Sequence, residues 1–140
     1  MCICSRRAVL AIGAAAFAAA AVRASAAPAE HREFIEAAFR MRDEAVRAGD
    51  QAFGAVVVKE GRIVGFGPSR VVLKKDWTAH AEREAIREAQ ARLGSSDLTG
   101  CVLYSSSRPC AACEAAAAQA NIARMYYGAG ASDAGAPRRG

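Results

Sequence analysis

From Glu30 to Ala48 apolar residues recur as Phe34, Ala38, Met41 and Ala45, the spacing of one helical face, and Gly49-Asp50 ends the run. Phe53 to Lys59 is a short Val-rich stretch, Glu60-Gly61 a turn, and Ile63 to Gly67 a second short stretch; together they predict a β-hairpin. Gly67-Pro68-Ser69 breaks the pattern. A second helix is predicted from about Thr78 to Leu93, its exposed side carrying Glu84/Arg87 and Glu88/Arg92 at helical spacing, with Gly94 closing it. Cys101 to Ser105 then predicts a third strand, Cys110 to about Ala120 a third helix, and Ala123 to Tyr127 a fourth strand. Strands alternating with helices predict an α/β fold, a three-layer α/β/α sheet domain over 27–128. Residues 129–140 are Gly, Ala, Pro and Arg with few others, which predicts a flexible tail.

The first 26 residues follow a different rule. Ser5-Arg6-Arg7-Ala8-Val9-Leu10 precedes an uncharged, Ala-rich run to Val22, and Arg23 and Ala24-Ser25-Ala26 follow. This is the order of an export signal, and the paired arginines resemble the twin-arginine address. The run is too short and too Ala-rich for a bilayer span, which needs about 20 apolar residues. The expectation is an exported protein, periplasmic or secreted, with no stable membrane anchor. Cleavage after Ala26 removes Arg6, Arg7 and Arg23, leaving 16 Lys and Arg against 14 Asp and Glu, so the net charge falls from +5 to +2. A nearly neutral mature chain weakens the electrostatic case for a nucleic-acid partner.

Cys2 and Cys4 leave with the leader, so three cysteines remain. Cys101, flanked by apolar residues in a strand, reads as a small buried hydrophobe. Cys110 and Cys113 form a C-x-x-C pair behind Pro109 at a predicted helix start, so both sulfurs project from one face. Backbone N–H groups and the helix dipole there favour thiolates, the form that a metal needs. His80-Ala81-Glu82 opens the preceding helix. One imidazole and two thiolates leave a fourth coordination position open, as in a catalytic zinc site. Glu82, beside that position, is placed to carry a proton. By itself the C-x-x-C pair also fits a redox pair or half of a structural zinc site, and H-x-E alone fits helix surface. The two clusters in this order, each at a helix start, are far more specific.

H-x-E followed by P-C-x-x-C is the mark of the zinc deaminases. From about Phe34 to Tyr127 the chain resembles the cytidine deaminase-like superfamily, and within it the guanine deaminase and tRNA adenosine deaminase branch. Phe53-Gly54-Ala55-Val56-Val57-Val58 is similar to the family's first-strand motif and Thr78-Ala79-His80-Ala81-Glu82 to its metal and proton-shuttle motif. Ala85-Ile86-Arg87 is similar to the guanine deaminases in particular. The resemblance implies Zn2+ held by His80, Cys110 and Cys113, with Glu82 as the catalytic proton shuttle. It also implies hydrolytic removal of an exocyclic amine from a free nucleobase or nucleoside, guanine or a related purine foremost. Phe53, Ser69, Trp77 and Ala79 become the candidate substrate contacts.

Departures from the family accompany the resemblance. Ala52 and Trp77 stand where the family usually has Pro, Ser69 where it has a base-contacting Asn, and Arg108 where it has Glu. Relatives also continue beyond the fourth strand with elements that close the pocket, so this pocket is expected to be more open or completed by a partner subunit, a homodimer being the expected assembly. Two other readings stay open: a tRNA adenosine deaminase, and a zinc-stabilised binding module with weakened catalysis.

Overall fold

The computed structural model describes residues 26–140, so the expected leader, apart from Ala26, lies outside the described residues. Helix α1 (Ala29–Arg47) is followed by strands β1 (Gly54–Lys59) and β2 (Arg62–Pro68), a short helix α2 (Val71–Lys74) and helix α3 (Ala81–Leu93). Strand β3 (Cys101–Ser105), helix α4 (Ala111–Gln119) and strands β4 (Arg124–Tyr127) and β5 (Ser132–Gly135) complete the chain. The five strands form one sheet in the order β2-β1-β3-β4-β5. Only β3 and β4 run parallel, joined through α4; the other neighbours are antiparallel. Among the described residues no helix is long and apolar enough to cross a membrane.

The sheet is covered on both faces, which makes this the three-layer α/β/α arrangement expected. Strand side chains alternate, so Val56, Val58 and Tyr104 meet Phe34, Ile35, Ala37 and Ala38 of α1. Ala55, Val57, Leu103 and Met125 meet Ala81, Ala85 and Ala89 of α3 and Ala117 of α4 on the other side. Burial on both faces explains why β1 reads as continuous Val rather than as alternating polar and apolar. Cys101 is fully buried at the start of β3.

Gly65 and Gly67 of β2 fix how closely α3 lies on the sheet. A Cβ on Gly67 would come within 2.0 Å of the Ala81 carbonyl oxygen, and one on Gly65 within 2.2 Å of the Ala85 oxygen. The helix therefore rests on strand backbone, and its first turn is held by main-chain contact.

Three sequence expectations are corrected. The second predicted helix begins at Ala81 rather than near Thr78, because the Asp76 carboxylate accepts hydrogen bonds from Thr78 N and Oγ1 and holds the chain in a turn. Helix α2 was not expected; Val72 N and Leu73 N at its start donate to Asp50 Oδ2, a partner over twenty residues away. The segment 129–140, read as a flexible tail, contains β5. That strand is held on β4 by Arg124, which meets Asp133 through Nε and Nη2, the latter at 2.6 Å. Arg138 then ties the chain end to Glu114 of α4. The segment lacks apolar periodicity because ion pairs and a turn hold it, with Ala131 its one buried residue and Ala134 partly buried.

Candidate metal centre and reaction cavity

Two helix starts converge on one point. His80 is the N-cap of α3 and Cys110 the N-cap of α4, both in extended backbone, and Cys113 lies in the first turn of α4. In each case the cap carbonyl accepts the first intrahelical bond, from Glu84 N to His80 O and from Glu114 N to Cys110 O, both 2.9 Å. Because α3 starts at Ala81 rather than near Thr78, His80 lies just before the first turn. As a cap, its side chain is directed by the loop that precedes the helix.

The three donors fit a tetrahedral ion. His80 Nδ1 lies 3.7 Å from Cys110 Sγ and 3.4 Å from Cys113 Sγ. Tetrahedral zinc with ordinary Zn–S and Zn–N bonds places sulfur and nitrogen about 3.6 Å apart, and the two observed separations bracket that value. All three donor atoms lie within 4.8 Å of one another. The donor set, two sulfurs and an imidazole nitrogen, is the soft combination that selects zinc over magnesium or calcium.

Helix position alone favours a Cys113 thiolate, yet the thiol is pushed well above its ordinary range. Burial is the main cause, and the negative Glu82 beside it adds to the effect. A divalent cation at the donors reverses both influences, because a coordinating thiol is deprotonated outright.

Glu82, only 5% exposed, points into the same region, and Ser105 Oγ donates a 3.1 Å hydrogen bond to its Oε1. A cavity of about 150 Å³ joins these groups, lined by Gln51, Phe53, His80, Glu82, Ser107, Arg108 and Cys110. A larger cleft of about 390 Å³ lies between α3 and α4 but contains none of the metal donors, so its size says nothing about the chemistry.

Of the four substrate contacts read from the sequence, Phe53 alone lines the reaction cavity. Ser69 is fully buried, and its hydroxyl donates to Asp50 Oδ1 at 2.9 Å. Ala79 is also buried, its carbonyl accepting from Arg70 N. Trp77 is 83% exposed on a neighbouring cleft that shares Gln51 with the cavity. Gln51 and Ser107 were not anticipated, since no spacing rule connects them to the motifs. Asp50 was missed for the same reason. Burial pushes its carboxyl up, but hydrogen bonds from Leu73, Gln51, Ser69 and Val72 outweigh that and hold it below its ordinary value.

Residues 28–129 match the family described as the cytidine and deoxycytidylate deaminase zinc-binding region, a span that contains His80, Glu82 and both cysteines of the pair. The chain belongs to this family. The guanine deaminase of Bacillus subtilis (strain 168) is 41% identical over 105 residues, covering 74% of this chain and 67% of that protein. The tRNA-specific adenosine deaminase of Aquifex aeolicus (strain VF5) is 38% identical over 96 residues, covering 69% and 64%. The X-ray structure of guanine deaminase from Bacillus subtilis superposes with a TM-score of 0.68 at 40% identity, covering 71% of this chain and 64% of that one. The deaminase domain thus spans about two thirds of the length of these relatives. With the family and the donor geometry together, the cofactor is zinc, and His80, Cys110 and Cys113 are positioned to bind it.

Proposed function

We propose that this deaminase acts hydrolytically on a purine nucleobase, guanine or a related base, replacing the exocyclic amine with a carbonyl oxygen and releasing ammonia. The observation that carries the reading is the placement of Glu82 on the same small cavity as a zinc-spaced His80–Cys110–Cys113 set. Zinc held there supplies one thing, a lowered pKa for a water molecule, towards ~7. The residues of the chain do the rest. Glu82 takes one proton from the attacking water and passes it to a ring nitrogen, then carries the second from the new hydroxyl to the departing amine, so that the C–N bond breaks and carbonyl and ammonia result. Ser105 holds one Glu82 oxygen in place, which leaves the carboxylate a fixed direction. Phe53 offers an apolar surface to the base, and the Gln51 amide can donate to and accept from its edge.

Zinc-loaded protein is expected to release ammonia from guanine in a panel of free bases and nucleosides. Glu82→Gln should keep one zinc per chain and lose at least about a hundredfold in kcat. Zinc retention with no ammonia from any base or nucleoside would support the binding-module reading instead.

A second reading, deamination of adenosine in tRNA, draws support from Trp77, an exposed ring beside the cavity of the kind on which single-stranded bases stack. The near-neutral charge inferred for the mature chain does not exclude it, since tRNA-specific deaminases are among the similar proteins. Inosine formed in tRNA, with guanine left untouched, would select it. The homodimer belongs to the same proposal, supported by the half-exposed Val72 and Leu73, and is read by sedimentation. Export through the twin-arginine-type leader is also proposed; cell fractionation should recover a chain that begins at Ala27.

A further inference from the structure

Arg108 lines the reaction cavity and has no part in the chemistry above. It is exposed, and among the described residues it forms no ion pair. Glu114 is close enough to feel its charge but is already engaged. Arg138 donates to Glu114 Oε1 from both its backbone N and its Nε, each at 3.0 Å. Glu114 is thus engaged by Arg138 rather than by Arg108. The guanidinium carbon lies 5.8 Å from the centre of the Tyr127 ring, which steadies it without neutralising it.

The cavity itself is small. At about 150 Å³ it is well below the roughly 300 Å³ at which pockets begin to enclose a drug-sized ligand. It has room for one ring system. Any substituent on the base must leave through the solvent side, and Arg108 is both a lining residue and exposed, so its guanidinium can reach that side. A guanidinium presents a planar fork of donors that matches the oxygens of a phosphate.

We infer that Arg108 forms an anion subsite at the mouth of the cavity, so that the base is taken with a phosphate attached. The phosphate belongs either to a nucleoside 5′-monophosphate or to the phosphodiester of a single-stranded RNA. The inference rests on the deaminase reading and narrows it from a bare base to a phosphorylated one. A rival role for Arg108 is to offset the negative charge of Glu82 and the two cysteines. That role makes no distinction between neutral and phosphorylated substrates.

The test uses the zinc-loaded full chain and its Arg108→Gln and Arg108→Lys variants. The quantity read is the ratio of kcat/KM for guanosine 5′-monophosphate to that for guanosine, with the adenosine pair in parallel. A short single-stranded RNA carrying the same bases supplies the second source of phosphate. Wild type should favour a phosphorylated substrate by about tenfold or more, the contribution of one charge-assisted hydrogen bond. Arg108→Gln should abolish that preference, and Arg108→Lys should keep part of it, having the charge without the fork. Dependence on Arg108 with the monophosphate assigns the site to free nucleotides; dependence with the RNA alone assigns it to a polynucleotide. An unchanged ratio with both sources overturns the inference, as does an equal loss on neutral and phosphorylated substrates accompanied by loss of zinc. Turnover of free guanine alone also overturns the inference, whereas turnover of neither guanine nor any of these compounds makes the deaminase reading fail separately. Calorimetric binding of guanosine 5′-monophosphate against guanosine, with and without Arg108, still decides whether the subsite exists.

Discussion

The two faces of the sheet share the same strands but are built from different materials. Tyr104 and Ser105 are neighbours on β3, yet Tyr104 joins an aromatic cluster under α1 while Ser105 holds the Glu82 carboxylate. On the α1 face, Phe34 and Tyr104 lie 5.2 Å apart between ring centres and Tyr104 and Tyr126 5.3 Å apart, and His31 Nδ1 meets the Tyr104 hydroxyl at 2.8 Å. On the α3 face the helix offers mainly alanines to a strand that offers glycines. Large rings fill space and tolerate some adjustment. A helix resting on strand backbone has almost none. The α1 face has one such contact, at Gly54, where a Cβ would come within 2.1 Å of Arg42 N; on the donor face Gly65 and Gly67 meet successive turns of α3, so that helix is fixed at two points.

Removing a donor should separate the faces most sharply. Cys113→Ser is expected to abolish stoichiometric zinc binding, and deamination with it, as measured by metal analysis on purified protein. Phe34→Ala, on the opposite face, should cost about 3–5 kcal/mol of stability by denaturant unfolding, yet leave zinc at one per chain. Loss of zinc in Phe34→Ala would show that the faces are coupled.

Gly67→Ala tests the contact between helix and strand directly. The added methyl cannot coexist with the Ala81 carbonyl at 2.0 Å, so the start of α3 must move. A stability loss of about 1–3 kcal/mol is expected, together with weaker zinc affinity, because Ala81 separates His80 from Glu82. A loss of stability with unchanged affinity would mean that the loop, rather than the helix, places His80.

The smallest effect concerns Asp50, which joins the end of α1 to α2 and Ser69. Its carboxyl is held below its ordinary value in the fold, so it adds stability above the unfolded-state pKa near ~3.9 and loses it as pH falls through the folded value. The melting-temperature gap between wild type and Asp50→Asn should be full near neutrality and shrink below about pH 4. A gap independent of pH would remove the charge from the explanation.

The donors were legible in the sequence because their chemistry demands particular residue types at particular spacings. His80, Cys110 and Cys113 admit few substitutes, and both clusters lie beside helix starts that announce themselves. Helix α1 was legible from its apolar period alone. Ser69 was not, because its partner Asp50 approaches from another part of the chain and takes the hydroxyl that a substrate would need. Strand β5 was hidden for the opposite reason. It buries little and depends on Arg124 and Asp133, and a charge pair between residues nine apart leaves no periodic trace.

His80 and Cys110 cap two different helices and lie thirty residues apart. An ion shared between them acts as a cross-link closing the loop through α3 and β3, and so restricts the unfolded chain as a disulfide does. It also ties the fraying of one helix to that of the other. Without the ion, backbone amides in the first turns of α3 and α4 should exchange hydrogen faster, and together; with it, the two turns open only as one unit.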